Sequence, residues 1–233
     1  FDVFTVNQHQ TALAFAFEPL RNAIVECNHL KMFMETWDDP APLSRVWCLD
    51  ELKNALLLGK EVRICMPLQA KKNFERIARD DPDTAKKTIQ RVCKRVDIRH
   101  ASATHDRDRT DVLDRVENTI GHDFLNEVCR EIIQQALLSA ASLQIDDPGK
   151  TARWQKIFTE RLEVANAQGT PVPQQIEIKR AVAMMQRRIF PRDKCPDEYR
   201  SGAALLKEVA CLAERFYGDK SQLLSDIVRQ SSQ

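Results

Sequence analysis

Residues 20–67 read LRNAIVECNHLKMFMETWDDPAPLSRVWCLDELKNALLLGKEVRICMP, and the fold is decided by this stretch. Leu20, Ala23, Ile24 and Cys27 recur at helical spacing, which predicts a helix over 18–27. Leu30, Met32 and Met34 then fall at every second position, which predicts a strand over 29–36. Asp38-Asp39-Pro40-Ala41-Pro42 reads as a loop, because each proline fixes its own φ and restricts the residue before it. Ser44 is the expected N-cap of the next helix. Cys48, Leu52, Ala55 and Leu56 line one face of that helix, Gly59 stops it, and Lys53 points to solvent. Residues 61–66 predict another strand.

Upstream, residues 1–6 (FDVFTV) also alternate as a strand and end in the polar run 7–10. Three short apolar strands separated by two helices form the pattern of a parallel sheet with helical crossovers. The strands around 30–34 and 62–66 are therefore expected to be parallel neighbours, covered by a helix over 44–58.

Downstream, residues 69–95 read as charged helix broken near Asp80-Asp81-Pro82, where Asp81 caps and Pro82 opens the first turn. Residues 96–104 suit one further strand. Helices over 110–120 and 122–141 meet at Gly121, the second with an apolar stripe of Leu125, Cys129, Ile132, Ala136 and Leu137. The polar stretch 142–149, with Asp146-Asp147-Pro148-Gly149, is the expected linker. Four helices follow it. Their apolar positions are Trp154, Ile157, Phe158, Leu162 and Ala165; then Ile178, Val182, Met185 and Ile189; then Tyr199, Leu206, Val209, Ala210, Ala213 and Phe216; then Leu223, Leu224, Ile227 and Val228. The expected organisation is an α/β domain over 1–141, a linker over 142–149 and an all-helical segment over 150–233.

Composition narrows the partners. Lys and Arg number 35 against 34 Asp and Glu, for a formal net charge of +1. So balanced a surface gives no reason to expect nucleic acid. No apolar run approaches the ~18 residues a membrane span needs. The seven cysteines are odd in number and show no CxxC pair, so they are expected as buried free thiols in a reducing, cytoplasmic compartment. The five histidines share no metal-ligand spacing, and GxGxxG, P-loop and GxSxG motifs are absent.

The order of elements in 20–67, and the run Ser44, Trp47, Cys48, Leu49, Asp50, Glu51, Leu52 between two strands, resembles the middle and late part of TIR domains. One extra residue separates Ser44 from Trp47. The resemblance implies a flavodoxin-like parallel sheet that is incomplete at its N-terminus, since a TIR domain opens with a strand and helix before the strand matched by 1–6. It implies a role in self-association or protein-partner assembly and signalling, as a non-catalytic scaffold with no cofactor. Trp47, Cys48 and Leu52 are then structural anchors holding the helix on the sheet. The alternative implied by the same resemblance is NAD cleavage, with NAD as substrate and Glu51 as the catalytic carboxylate. A carboxylate suits that reaction because breaking an N-glycosidic bond develops positive charge at the sugar carbon.

Overall fold

The computed structural model describes residues 23–142, 149–218 and 222–232. The predicted strand over 1–6, the polar run 7–10, the first half of the helix expected over 18–27 and most of the linker lie outside those residues. A helical turn at 23–26 leads into strand β1 (His29–Phe33), helix α1 (Val46–Leu57) and strand β2 (Glu61–Cys65). The two strands pair in parallel, His29 opposite Glu61 through Phe33 opposite Cys65, and Met34 N–H extends the ladder to Cys65 O at 2.8 Å. This is the expected parallel pair, with α1 as its crossover.

Alternation sorts the sheet's two faces. Met32, Met34 and Val62 are buried, while Lys31, Phe33, Glu61 and Arg63 face out. Parallel sheets ordinarily carry helices on both faces. Among the described residues, this one is open on the side of Phe33.

The rest is helical: α2 (Leu68–Asp80), α3 (Pro82–Arg95), α4 (Asp106–Asn118), α5 (His122–Ala140), α6 (Lys150–Asn166), α7 (Val172–Ile189), α8 (Pro196–Tyr217) and α9 (Gln222–Ser232). The break between α2 and α3 falls where the sequence places it. Asp81 caps α3 by accepting from the Thr84 amide at 3.0 Å, with Pro82 in the first turn. Gly121 turns the chain from α4 into α5 at φ +84°.

Four expectations are corrected. Residues 96–104 form no strand: they hold a 3-10 turn at Ile98–His100 and a single bridge between Arg45 and Ser102. Ser44 is not the cap of α1; its hydroxyl donates back to Ala41 O, and Arg45 occupies the cap position. Phe216 and Val228 are half exposed rather than core. Lys53 is buried.

One apolar core runs from Met32 and Val62 through Leu52, Phe124 and Leu137 to Trp154, Phe158 and Val182. It therefore joins elements on both sides of 142–149. Its aromatic centre packs Trp154 edge-on to Phe124 at 6.3 Å and tilted against Phe158 at 5.3 Å. A smaller cluster of Ile176, Val209, Ala213 and Ile227 binds α7, α8 and α9 together.

Candidate functional site

Helix α1 carries every site residue that the sequence singles out. Leu52 is fully buried, as an anchor should be. Trp47 is half-buried and packs on the edge of the main core. Cys48 is half-buried and in no disulfide, and Glu51 is half-buried.

The chemistry nearest to these residues sits on their neighbours. Asp50 and Lys53, one turn apart, are 2% and 6% exposed. The Lys53 ammonium lies 3.1 Å from Asp50 Oδ1. The Asn54 side-chain amide donates to Asp50 Oδ2 at 3.1 Å, and the Arg115 guanidinium approaches Oδ1 to 3.9 Å. Taking two charges out of water is expensive, and mutual attraction offsets the cost only where geometry and extra hydrogen bonds are good. Here the amide and a second cation supply that support.

These residues are buried because α1 is enclosed. The sheet covers one side, and α4 and α7 cover the side expected to face water. The sequence carried a signal for this. Leu52, Ala55, Leu56, Leu57 and Leu58 are apolar nearly all the way round, and a helix of that kind belongs inside.

The enclosure is incomplete at the end of α1, where a cleft of about 400 Å³ opens between α1, α4, α7, α8 and α9. Its polar lining is Asp50, Lys53, Asn54, Arg115, Glu177 and Arg180; its apolar lining includes Leu57, Leu58 and Ile176, with Tyr217 at α8. Arg180 is 2% exposed, and its Nε donates to Gln230 Oε1 at 2.9 Å, so α9 helps hold it in place. Lys53, Arg115 and Arg180 were not recognised from sequence, because they are brought together from three helices far apart in the chain. Glu51 is not among the lining residues.

The chain matches no protein-family model, no curated protein and no solved structure. The site must therefore be read from its own chemistry.

The cysteines and histidines offer less. None of the seven cysteines is in a disulfide. Burial pushes Cys93 up to about 11 and Cys129 up to about 12, which keeps both protonated and unreactive at neutral pH. Cys27 and Cys211 are exposed, contrary to the expectation of burial. Among the described residues no group of His, Cys, Asp and Glu is placed to hold a metal ion. His122 serves the α4–α5 corner instead, with Nε2 2.9 Å from Leu113 O and Nδ1 3.1 Å from Glu117 Oε2. Among the described residues no helix is long and apolar enough to cross a membrane.

Proposed function

We propose that this chain is a non-catalytic, TIR-like interaction module that assembles with a second copy of itself through the open face of its parallel strand pair. The observation that carries this reading is Phe33, 49% exposed at the carboxyl end of β1 on a sheet face that a parallel sheet ordinarily covers. Leu68, 66% exposed, follows the carboxyl end of the neighbouring strand. The same face bears both signs of charge, Lys31 and Arg63 against Glu61, and the Arg63 guanidinium sits 2.6 Å from the Glu61 carboxylate. That hydrogen bond holds the Glu61 carboxyl below its usual range. A face with an exposed aromatic at one end and both signs of charge is suited to an isologous contact, in which each copy offers the other the same patch.

Sedimentation velocity across a concentration series tests the reading. Concentration-dependent association that Phe33→Asp removes, with the fold retained by circular dichroism, is the expected result. A wild-type chain that stays monomeric at every concentration would overturn it.

The alternative of NAD cleavage through Glu51 draws its support from the resemblance alone. The cleft beside α1 is lined by Asp50, Lys53 and Asn54 rather than by Glu51, so the interaction module stands first. Incubation with NAD decides between them: nicotinamide release that Glu51→Ala abolishes would promote the enzyme.

A further inference from the structure

Apart from the open face of the sheet, the outer edge of β2 has the geometry of a docking site. We propose that an extended acidic segment of a partner protein adds to this edge as a third strand, in the groove between β2 and α5. The ladder shows which backbone groups are open. Met34 N–H bonds to Cys65 O, and the register sets Met32 opposite Ile64. In a strand each residue turns its N–H and C=O to one side, and successive residues alternate sides. Arg63 and Cys65 therefore turn their backbone groups to β1, and Val62 and Ile64 turn theirs outward. The sheet has two strands, so among the described residues nothing continues the ladder there. Segment 96–104, which the sequence offers as a further strand, holds a 3-10 turn instead. An unpaired row of N–H and C=O groups is a template for an added strand.

The groove beside that edge measures about 480 Å³, and Glu61, Val62, Arg63 and Ile64 line it in succession, as an edge-on approach requires. Its other wall is α5, through Ile132, Ala136 and Ala140. An added strand would turn every second side chain to that apolar wall and the others to the side of Arg63.

Charge selects the partner. The lining holds Arg63, Lys71 and Arg188 against the one carboxylate of Glu61. These cations have acids in the fold. Arg63 bonds to Glu61 at 2.6 Å, and Lys71 reaches Glu75 at 3.8 Å. Burial pulls the Arg188 guanidinium below its usual range, and the nearby Glu131 and Glu61 carboxylates oppose that shift. None of the three has to be vacant, because the backbone edge supplies the pairing and the lining sets only the sign of side chain it accepts. A second copy of β2 on this edge would bring these cations toward their own counterparts, and like charges across a strand pair are destabilising. A strand with acidic residues between apolar ones suits both the wall and the cations.

Amide hydrogen exchange of the full chain, with and without a capped hexapeptide alternating valine and glutamate, tests the proposal. In the free protein the Val62 and Ile64 amides should exchange faster than those of Arg63 and Cys65. Saturating peptide should slow the first pair by about tenfold or more. N-methylating alternate amides of the peptide should abolish binding for one set and spare it for the other, since only one set faces β2. The protein is unchanged in that comparison, so damage to its fold cannot mimic the result. The lysine counterpart of the peptide should bind more weakly, and Lys71→Glu should weaken the glutamate peptide by about twofold to fivefold. Absence of saturable binding, equal effects of the two N-methylated sets, or equal affinity for the lysine peptide would overturn the proposal. So would Val62 and Ile64 amides as protected as Arg63 and Cys65 before peptide is added. Protection that rises with protein concentration would assign the edge to a second copy, and protection independent of concentration to the chain itself. Phe33→Asp, which tests self-association through the sheet face, should still bind the peptide, so the two readings fail separately.

Discussion

Three stretches of this chain look alike in sequence, and one differs from the other two in structure: the strands at 29–33 and 61–65, and the segment 96–104. All are short and apolar in alternation. The first two satisfy their backbone by pairing with each other in parallel. The third satisfies its backbone through side chains sent from neighbouring helices. Asn126 of α5 accepts from the Ile98 amide at 2.8 Å; Arg130 donates to Val96 O at 2.8 Å and to Cys93 O at 3.2 Å. Arg109 of α4 donates to Ala101 O at 2.9 Å, and Ser102 exchanges backbone bonds with Ser44 and Val46. Buried amides and carbonyls must be paired, but a strand is only one way to pair them. Where α4 and α5 already press close with long polar side chains, the ladder is not needed.

The largest expected effect tests the strand–helix–strand unit. Lys53→Ala removes one partner of a nearly buried ion pair and, among the described residues, leaves Asp50 with Asn54 and the more distant Arg115. Such losses cost about 3–5 kcal/mol. Leu52→Ala, on the adjacent buried position, should cost about 2–5 kcal/mol through lost transfer energy and a cavity. Chemical denaturation of both variants checks the pair. If Lys53→Ala fell within about 0.5 kcal/mol of wild type, as surface changes do, the enclosure of α1 by α4 and α7 would be wrong.

Next in size is Asn126→Ala. It leaves the buried Ile98 amide without its acceptor and removes a donor to Asp97 at 3.2 Å. Leaving one such group unmet costs about 1–3 kcal/mol. Hydrogen exchange should show loss of protection concentrated at the Ile98 amide. Unchanged protection there would mean that 96–104 is held some other way, and the contrast with the paired strands would collapse.

Gly121→Ala is expected to cost slightly less, about 1–2 kcal/mol from the left-handed backbone alone. An added Cβ would also meet the Arg161 guanidinium at 1.9 Å, so that side chain must swing away. The corner matters because α4 brings Arg109 and α5 brings Asn126 and Arg130 to the same segment. A melting temperature equal to wild type would show that the corner is more pliable than its φ of +84° implies.

What was legible follows from what periodicity encodes. The parallel pair, the α2–α3 break at Asp81-Pro82, the Gly121 corner and the apolar stripes of Trp154 to Ala165 and Ile178 to Ile189 all rest on local spacing or local turn chemistry. Lys53 was misplaced because one-face reasoning assigns a lysine to water, and only the packing of α4 and α7 onto α1 reverses it. Arg115 and Arg180 are unremarkable in their own helices and come to line one cleft only after folding. Segment 96–104 was misread because its partners include single side chains 28–34 residues away, which no periodic pattern announces.

The smallest effect concerns pH and the same segment. Burial raises the Asp97 carboxyl, but the Arg99 amide, the Asn126 side-chain amide and the Arg99 guanidinium outweigh it and hold the group below its ordinary range. Its folded value is thus below its unfolded value of about 3.9. A depressed acid stabilises the fold fully above the unfolded value and loses that contribution as pH falls through the folded one. Asp97 is about a third exposed, so solvent screening keeps the contribution modest. Asp97→Asn keeps an acceptor for the Arg99 amide but does not titrate. The stability gap between wild type and this variant should therefore be constant near neutral pH and shrink as the pH falls below the unfolded value of about 3.9. Denaturant unfolding at several pH values measures it. A gap that stays constant down to about pH 2 would mean that the carboxylate charge does not hold the turn, leaving Asn126 and Arg130 as the groups that replace the missing strand.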